Sequence, residues 1–390
     1  LFDLALATSG ADFRALAAHA RATASASRIA AMLDLARSEP GIPIDAESLD
    51  ADPWLLTVEN GTLDLRNGTL RAHAPADFIT KRVPHRLDYP ADLKSACPRW
   101  LQFLAEVLPD AETRDFVQRA VGYSLTGDTR EQCLLLLCGS GSNGKSTFIE
   151  TLLDVAGDFG LRTPSETLLA RRGDAIPNDV AALRGARLVV ASETEDGRRL
   201  AESRLKELTG GDTISARYMR AEWFQFRPTC KLWLSTNHRP QVRGTDHAIW
   251  RRIRLIPFEQ RFGNGGLPAD PGLRDKLREE LPGILAWAVR GAALWLKFGL
   301  TPPASVTAAT STYRSEQDAL GEFLDEATEP DPTATITAAE IFGAYKAWCE
   351  AGIERPMSKR ALGLALQERG FEQAKTMTAR LWRGLALRAP

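Results

Sequence analysis

Apolar positions recur at helical spacing through an alanine-rich stretch at 12–36. The rhythm changes at 54–65, where two short apolar runs flank Asn60-Gly61, and Asn67-Gly68 follows closely. This pattern predicts a strand, a tight turn and a strand, with a second turn continuing the meander. Helical spacing returns at 100–107 and 113–122. From residue 133 onward four unalternated apolar runs appear, at 133–137, 188–191, 232–234 and 253–256, separated by helix-like segments. Runs of that kind suit strands covered on both faces, as in a parallel α/β sheet. Pro302-Pro303 and the Ser/Thr/Ala-rich stretch to residue 312 read as a linker. Three helix-like segments follow, at 313–327, 338–351 and 359–369, with Thr337 and Glu340 spaced as a capping box and Ser358 placed as an N-cap. There is no internal repeat. The expected organisation is a mostly helical part with a short β-meander at 1–120, an α/β domain at 121–300 and a C-terminal domain at 313–390.

Composition narrows the class. The chain has 390 residues, 44% hydrophobic and 25% charged, which excludes disordered, collagen-like and disulfide-framework proteins and provides for two or three cores. Five scattered cysteines form no C-x-x-C pair and read as small hydrophobes in a reducing compartment. With no uncharged apolar stretch of about 18 residues, a soluble protein with no membrane partner is expected, in the cytoplasm of a bacterial host or its equivalent. The absence of a methionine at Leu1 predicts a fragment of something longer. The net charge of −1 hides a segregation: residues 212–255 and 355–390 carry +6 each, leaving −13 on the rest. Two basic segments on an acidic body suggest two surfaces that face polyanions, or two solvated faces.

The strongest chemical signal is Gly139-Ser140-Gly141-Ser142-Asn143-Gly144-Lys145-Ser146, which matches G-x-x-x-x-G-K-[ST] directly after the apolar run at 133–137 and ahead of helical spacing from Thr147. In that context backbone N–H groups converge on phosphate oxygens, the lysine neutralises them, and the Ser146 hydroxyl ligates Mg²⁺. The expected ligands are therefore ATP and Mg²⁺. A hydrolytic site also needs an acid at the end of a neighbouring strand. The run at 188–191 leads to Ser192-Glu193, making Glu193 the first candidate for the catalytic and metal-binding carboxylate and Glu195 the second. Ser192 stands where an aspartate is common. A third run ends at Asn237, an amide suited to orienting water or sensing a γ-phosphate. The segment Asp246-His-Ala-Ile-Trp250-Arg251-Arg252-Ile-Arg254 then offers a cation for a neighbouring subunit's nucleotide, Arg252 first and Arg251 second. Between the second and third runs, 213–217 and 222–226 read as hairpin arms around a basic aromatic tip; Arg217, Tyr218 and Arg220 are the expected nucleic-acid contacts, and Trp223 is expected to pack internally.

The ordered set Gly-Ser-Asn-Gly-Lys-Ser-Thr, Ser-Glu-Thr-Glu, Leu-Thr-Gly-Gly-Asp, Ser-Thr-Asn-His-Arg-Pro and Trp-Arg-Arg-Ile-Arg resembles the helicase portion of phage, plasmid and poxvirus primase-helicases, which are superfamily 3 helicases of the AAA+ class. Val58-Glu-Asn-Gly61-Thr-Leu-Asp-Leu65 and Cys97-Pro-Arg-Trp100 are similar to the helical domain that precedes this ATPase, and the C-terminal part to its winged helix. The resemblance implies an AAA+ type P-loop domain between those two modules, a hexameric ring with nucleotide at subunit interfaces, single-stranded or forked DNA in the pore, and a primase domain or protein upstream in relatives. Priming by this chain is not expected. The winged-helix reading assigns duplex contacts to Lys359, Arg360, Arg380 and Arg383. Against a helicase or translocase for a mobile element stands an origin-recognition or assembly ATPase that binds duplex DNA without unwinding it. A small-molecule kinase lacks a lid signature here, and a GTPase lacks N-K-x-D.

Overall fold

The computed structural model describes residues 10–90, 92–170, 178–193, 195–242, 247–263, 266–351, 356–375 and 380–388. Asp246, which opens the arginine-bearing segment, lies outside them, as does Thr194. The chain forms two compact units: residues 1–51 with 75–80, and residues 52–74 with 81–390. The expected 1–120 segment is thus divided between both.

In the first unit, α1 (Gly10–Thr23) and α2 (Ala26–Ala36) occupy the alanine-rich stretch, and no residue of α2 is buried. Asp50 closes this unit on its returning segment by accepting the backbone N–H of Thr80 at 2.8 Å.

The second unit opens with the predicted meander, β1 (Leu55–Val58), β2 (Gly61–Asp64) and β3 (Thr69–Arg71), antiparallel in that order. Its centre is a five-stranded sheet, all parallel, built from β4 (Leu134–Cys138), β5 (Gly160–Arg162), β6 (Leu188–Glu193), β9 (Lys231–Thr236) and β10 (Ile253–Pro257). The spatial order is β10-β4-β9-β6-β5. Four of the five strands are the four unalternated runs, and their buried residues confirm cover on both faces. One face packs Leu134, Leu136, Val189 and Leu232 against Leu205 and Leu208 of the helix Glu202–Gly210. On the other side an aromatic cluster forms around Phe148, whose ring lies 5.7 Å from Trp100, 5.8 Å from Phe258 and 5.9 Å from Trp233. Helices Ala111–Leu125 and Leu281–Phe298 cross so closely that a Cβ on Gly122 would stand 1.9 Å from the Ala292 nitrogen.

The stretch at 302–312, expected as a linker, is instead part of a helix, Ala304–Glu316, laid along β10. The sheet edge supplies the reason. Thr310 Oγ1 accepts the N–H of Leu255 at 3.0 Å, and Val306 and Tyr313 are fully buried. Beyond it, helices Ala319–Ala327, Ala338–Ala351 and Lys359–Glu368 pack on a three-stranded antiparallel sheet of β11 (Thr328–Thr337), β12 (Gln373–Lys375) and β13 (Arg380–Leu387), ordered β11-β13-β12, around Phe323, Tyr345 and Trp382. The capping box forms as read: Glu340 accepts the Thr337 N–H at 3.0 Å, and Thr337 Oγ1 accepts the Glu340 N–H at 3.1 Å.

Two buried basic side chains sit under the sheet. Arg187 donates to the carbonyls of Leu125 and Leu55, both at 2.8 Å, and Lys231 donates to the carbonyls of Thr229 and Thr126 beneath the Tyr123 ring. Burial, and after it the neighbouring Arg187, hold the Lys231 ammonium well below its ordinary range. Part of the basic run at 212–255 is therefore interior rather than surface.

Candidate functional site

Parallel strands end at one edge, and three of them deliver their C-terminal residues to a common cavity of about 370 Å³. β4 runs into the loop 139–144, and Lys145 opens the helix Lys145–Ala156. Gly144 caps that helix at φ +85°, and a Cβ there would meet Val107 Cγ1 at 2.6 Å. Only glycine meets both requirements. Gly141, Ser142, Asn143, Gly144, Lys145, Ser146 and Thr147 line the cavity on one side, and Glu193 and Asn237 on the other, together with Ser192, Ser235 and Thr236. Because β9 stands between β4 and β6, Asn237 lies between the lysine and the carboxylate strand.

Lys145 is 4% exposed and its ammonium is fully engaged: it donates to Gly139 O at 2.6 Å, Asn143 Oδ1 at 3.0 Å and Asn237 Oδ1 at 3.2 Å. Burial pushes its pKa down, with the nearby Cys138 pulling the other way. Asn143 is itself fixed by donating to Phe258 O at 3.0 Å. The lysine is thus held by three neutral oxygens in the place where phosphate oxygens would bind a P-loop lysine. Ser146 is solvent-facing across from Glu193, so a hydroxyl and a carboxylate, both hard oxygen donors of the kind Mg²⁺ takes, face one space.

Glu193 is 7% exposed; its Oε1 accepts the Glu195 N–H at 2.9 Å and its Oε2 lies 3.3 Å from Arg198. Arg198 also reaches Glu195 and Glu166. Burial works against its charge, but the surrounding carboxylates outweigh it and raise its pKa. Glu195, the second candidate, is 72% exposed and does not line the cavity. Nothing in the spacing of Arg198 marks it in the sequence, and Ser235 and Thr236 are legible there only as the end of an apolar run.

The two arginines before β10 part company. Arg252, the first choice, is 7% exposed and turned inward, its Nε donating to Thr209 Oγ1 at 3.0 Å and its Nη1 to Ala248 O at 2.6 Å. A guanidinium so held is not presented to a neighbour, which corrects that choice. Arg251 is exposed and donates to Gln132 Oε1 at 2.9 Å. With Arg254 and Arg314 it lines a shallow cleft at the opposite edge of the sheet from Lys145, and none of the three pairs with a described acid.

The hairpin forms from β7 (Ile214–Ala216) and β8 (Phe224–Phe226), leaving a seven-residue tip, longer than read from the sequence. Arg217 and Arg220 make no ion pair among the described residues. Tyr218 is partly committed, its hydroxyl donating to Ala181 O at 3.0 Å and its ring stacked on Phe224 at 5.5 Å. Trp223, expected to pack internally, is 57% exposed. In the C-terminal part Lys359, Arg360 and Arg380 line one groove between helix and sheet, while Arg383 is exposed outside it.

A family model described as "D5 N terminal like" matches residues 9–109, and one described as a family of unknown function, DUF5906, matches residues 137–252. "Putative helicase 022R" of Frog virus 3 is 26% identical over 405 residues, covering 82% of this chain and 41% of that protein. "Putative helicase L207/L206" of Acanthamoeba polyphaga mimivirus is 28% identical over 320 residues, covering 77% and 33%. "Putative primase C962R" of African swine fever virus is 23% identical over 363 residues, covering 83% and 35%. The chain spans about two fifths or less of the length of these relatives. The apo C-terminal region of NrS-1 aligns over 77% of both chains at 11% identity with a TM-score of 0.47, below the level at which a shared fold follows. Among the described residues no helix is long and apolar enough to cross a membrane.

Proposed function

We propose that this chain is the ATP-driven DNA helicase or translocase part of a mobile element's replication protein, a reading supported by its similarity to viral proteins named putative helicase and putative primase and by the D5 N terminal like match over residues 9–109. The observation that carries this reading is the meeting of the P-loop, Glu193 and Asn237, from three parallel strands, in one cavity. That convergence supports an AAA+ type ATPase, and the order β11-β13-β12 with three helices supports a winged helix behind it.

In this reading the loop N–H groups and Lys145 hold the β- and γ-phosphates of ATP. Ser146 and Glu193 hold Mg²⁺, which when bound supplies neutralisation of phosphate charge. Phosphate oxygens replace the three neutral acceptors of Lys145, which releases the Asn237 amide to orient the attacking water. Glu193 accepts that water's proton once it leaves Arg198. Arg251 reaches a neighbouring protomer's γ-phosphate, which calls for a ring, a hexamer in the implied family. Arg217 and Arg220 grip single-stranded or forked DNA, and Lys359, Arg360, Arg380 and Arg383 contact a duplex.

Lys145→Ala tests the site: ATP hydrolysis is expected to vanish while circular dichroism shows a native fold, and retained turnover would reject it. Strand displacement on a forked substrate tests the activity. The basic groove of the C-terminal part favours a second reading, an assembly ATPase on duplex DNA; it would be preferred if the chain hydrolyses ATP and binds duplex but displaces no strand.

A further inference from the structure

The tip of the hairpin holds an exposed ring, Trp223, to which the proposed grip by Arg217 and Arg220 gives no role. Arg217 lies over the Trp223 ring at 4.9 Å from its centroid. That contact covers one face of the indole, yet the residue is still 57% exposed. An exposed tryptophan of this size is unusual in this chain: of nine tryptophans, Trp100, Trp233, Trp250, Trp287, Trp295 and Trp382 are buried, and Trp54 and Trp348 are partly covered. Tyr218, the other aromatic ring of the tip, is tied to Ala181 and Phe224 and so is less able to turn toward a ligand. Met219, 64% exposed, adds apolar surface beside it, and Arg220, at φ +60°, holds a sharp turn at the tip. The tip carries Arg217 and Arg220 against one acid, Glu222, and neither arginine forms an ion pair with a described acid.

We infer that Trp223, backed by Arg217, is a base-stacking platform on which an unpaired nucleobase of single-stranded DNA lies. The inference rests on the reading of the hairpin as a DNA element and adds the part of the ligand recognised, the base rather than the phosphate. A flat ring held from behind by a guanidinium presents its free face already oriented, and every base has a π-face, so the contact is sequence-tolerant. Arginine phosphate contacts hold the strand, while the ring fixes one base against the tip.

The test compares two probes of equal length on the full chain, a thymidine oligomer and an abasic oligomer. Thymidine should quench tryptophan emission, because the exposed fluorophore is the one stacked, and the abasic oligomer should not. Trp223→Phe should remove most of that quenching. Trp223→Ala should weaken thymidine binding roughly 10-fold and leave abasic binding unchanged, whereas Arg220→Ala should weaken both. Full quenching in Trp223→Phe, or native thymidine affinity in Trp223→Ala, would overturn the platform while the Arg220 result keeps the hairpin as a DNA element. Failure of the native chain to bind either oligomer would overturn both.

Discussion

At the scale of single residues, Arg252 is tied inward to Thr209 and Ala248 while its neighbour Arg251 faces solvent. The glycines, Lys145, Glu193 and Asn237 are legible because each stands at the end of an apolar run, and parallel strands bring such ends together. Arg251 and Arg252 are equivalent on paper; which one turns inward depends on Thr209 and Ala248, distant or local partners that no spacing announces. Arg252→Ala should cost about 2–4 kcal/mol of stability through lost packing and orphaned oxygens, seen as a lower Tm. Arg251→Ala should leave Tm in place and lower ATP turnover by about 10³-fold or more. Glu193→Gln should slow hydrolysis by about 10²- to 10⁴-fold with ATP binding retained. Lys231 gives a pH signature. Its folded pKa lies well below the ordinary 10.5, so between those two values the unfolded chain binds more protons and stability rises with pH. Melting compared from about pH 7 to about pH 10 should therefore shift in favour of the native protein relative to Lys231→Met; an unchanged gap would mean that Lys231 is charged in the fold.

At the scale of elements, what has a strong period was readable and what depends on pairing was not. β4, the helix Lys145–Ala156 and the meander follow directly from their patterns. β5 is three residues long and carries no pattern of its own; it exists because β6 offers it an edge. β11 contains Pro330 and Pro332, which argue against a strand, yet it pairs with β13 on one side only and shifts register between Pro330 and Thr335. The supposed linker became a helix because β10 needed a cover. Tyr313 of that helix is fully buried and donates to Pro240 O, close behind Asn237. Tyr313→Phe should lower stability by about 1–2 kcal/mol, measurable in urea, by stranding that carbonyl. Gly144→Ala should abolish nucleotide binding, since a left-handed φ and the Val107 contact both resist a Cβ; nucleotide affinity by calorimetry checks it.

At the scale of the whole molecule the separation of two surfaces matters most. Lys145 follows the C-terminal end of β4 and Arg251 precedes the N-terminal end of the parallel β10. Five residues at about 3.3 Å each put roughly 16 Å of sheet between them, and no rotamer spans that gap. Under the proposed function a solitary chain is therefore half an enzyme, with the residues assigned to phosphate on one side and Arg251 on the other. Specific turnover, measured per chain, should climb steeply with protein concentration and fall away on dilution, and mixing Lys145→Ala chains with Arg251→Ala chains should restore part of the rate that each has lost.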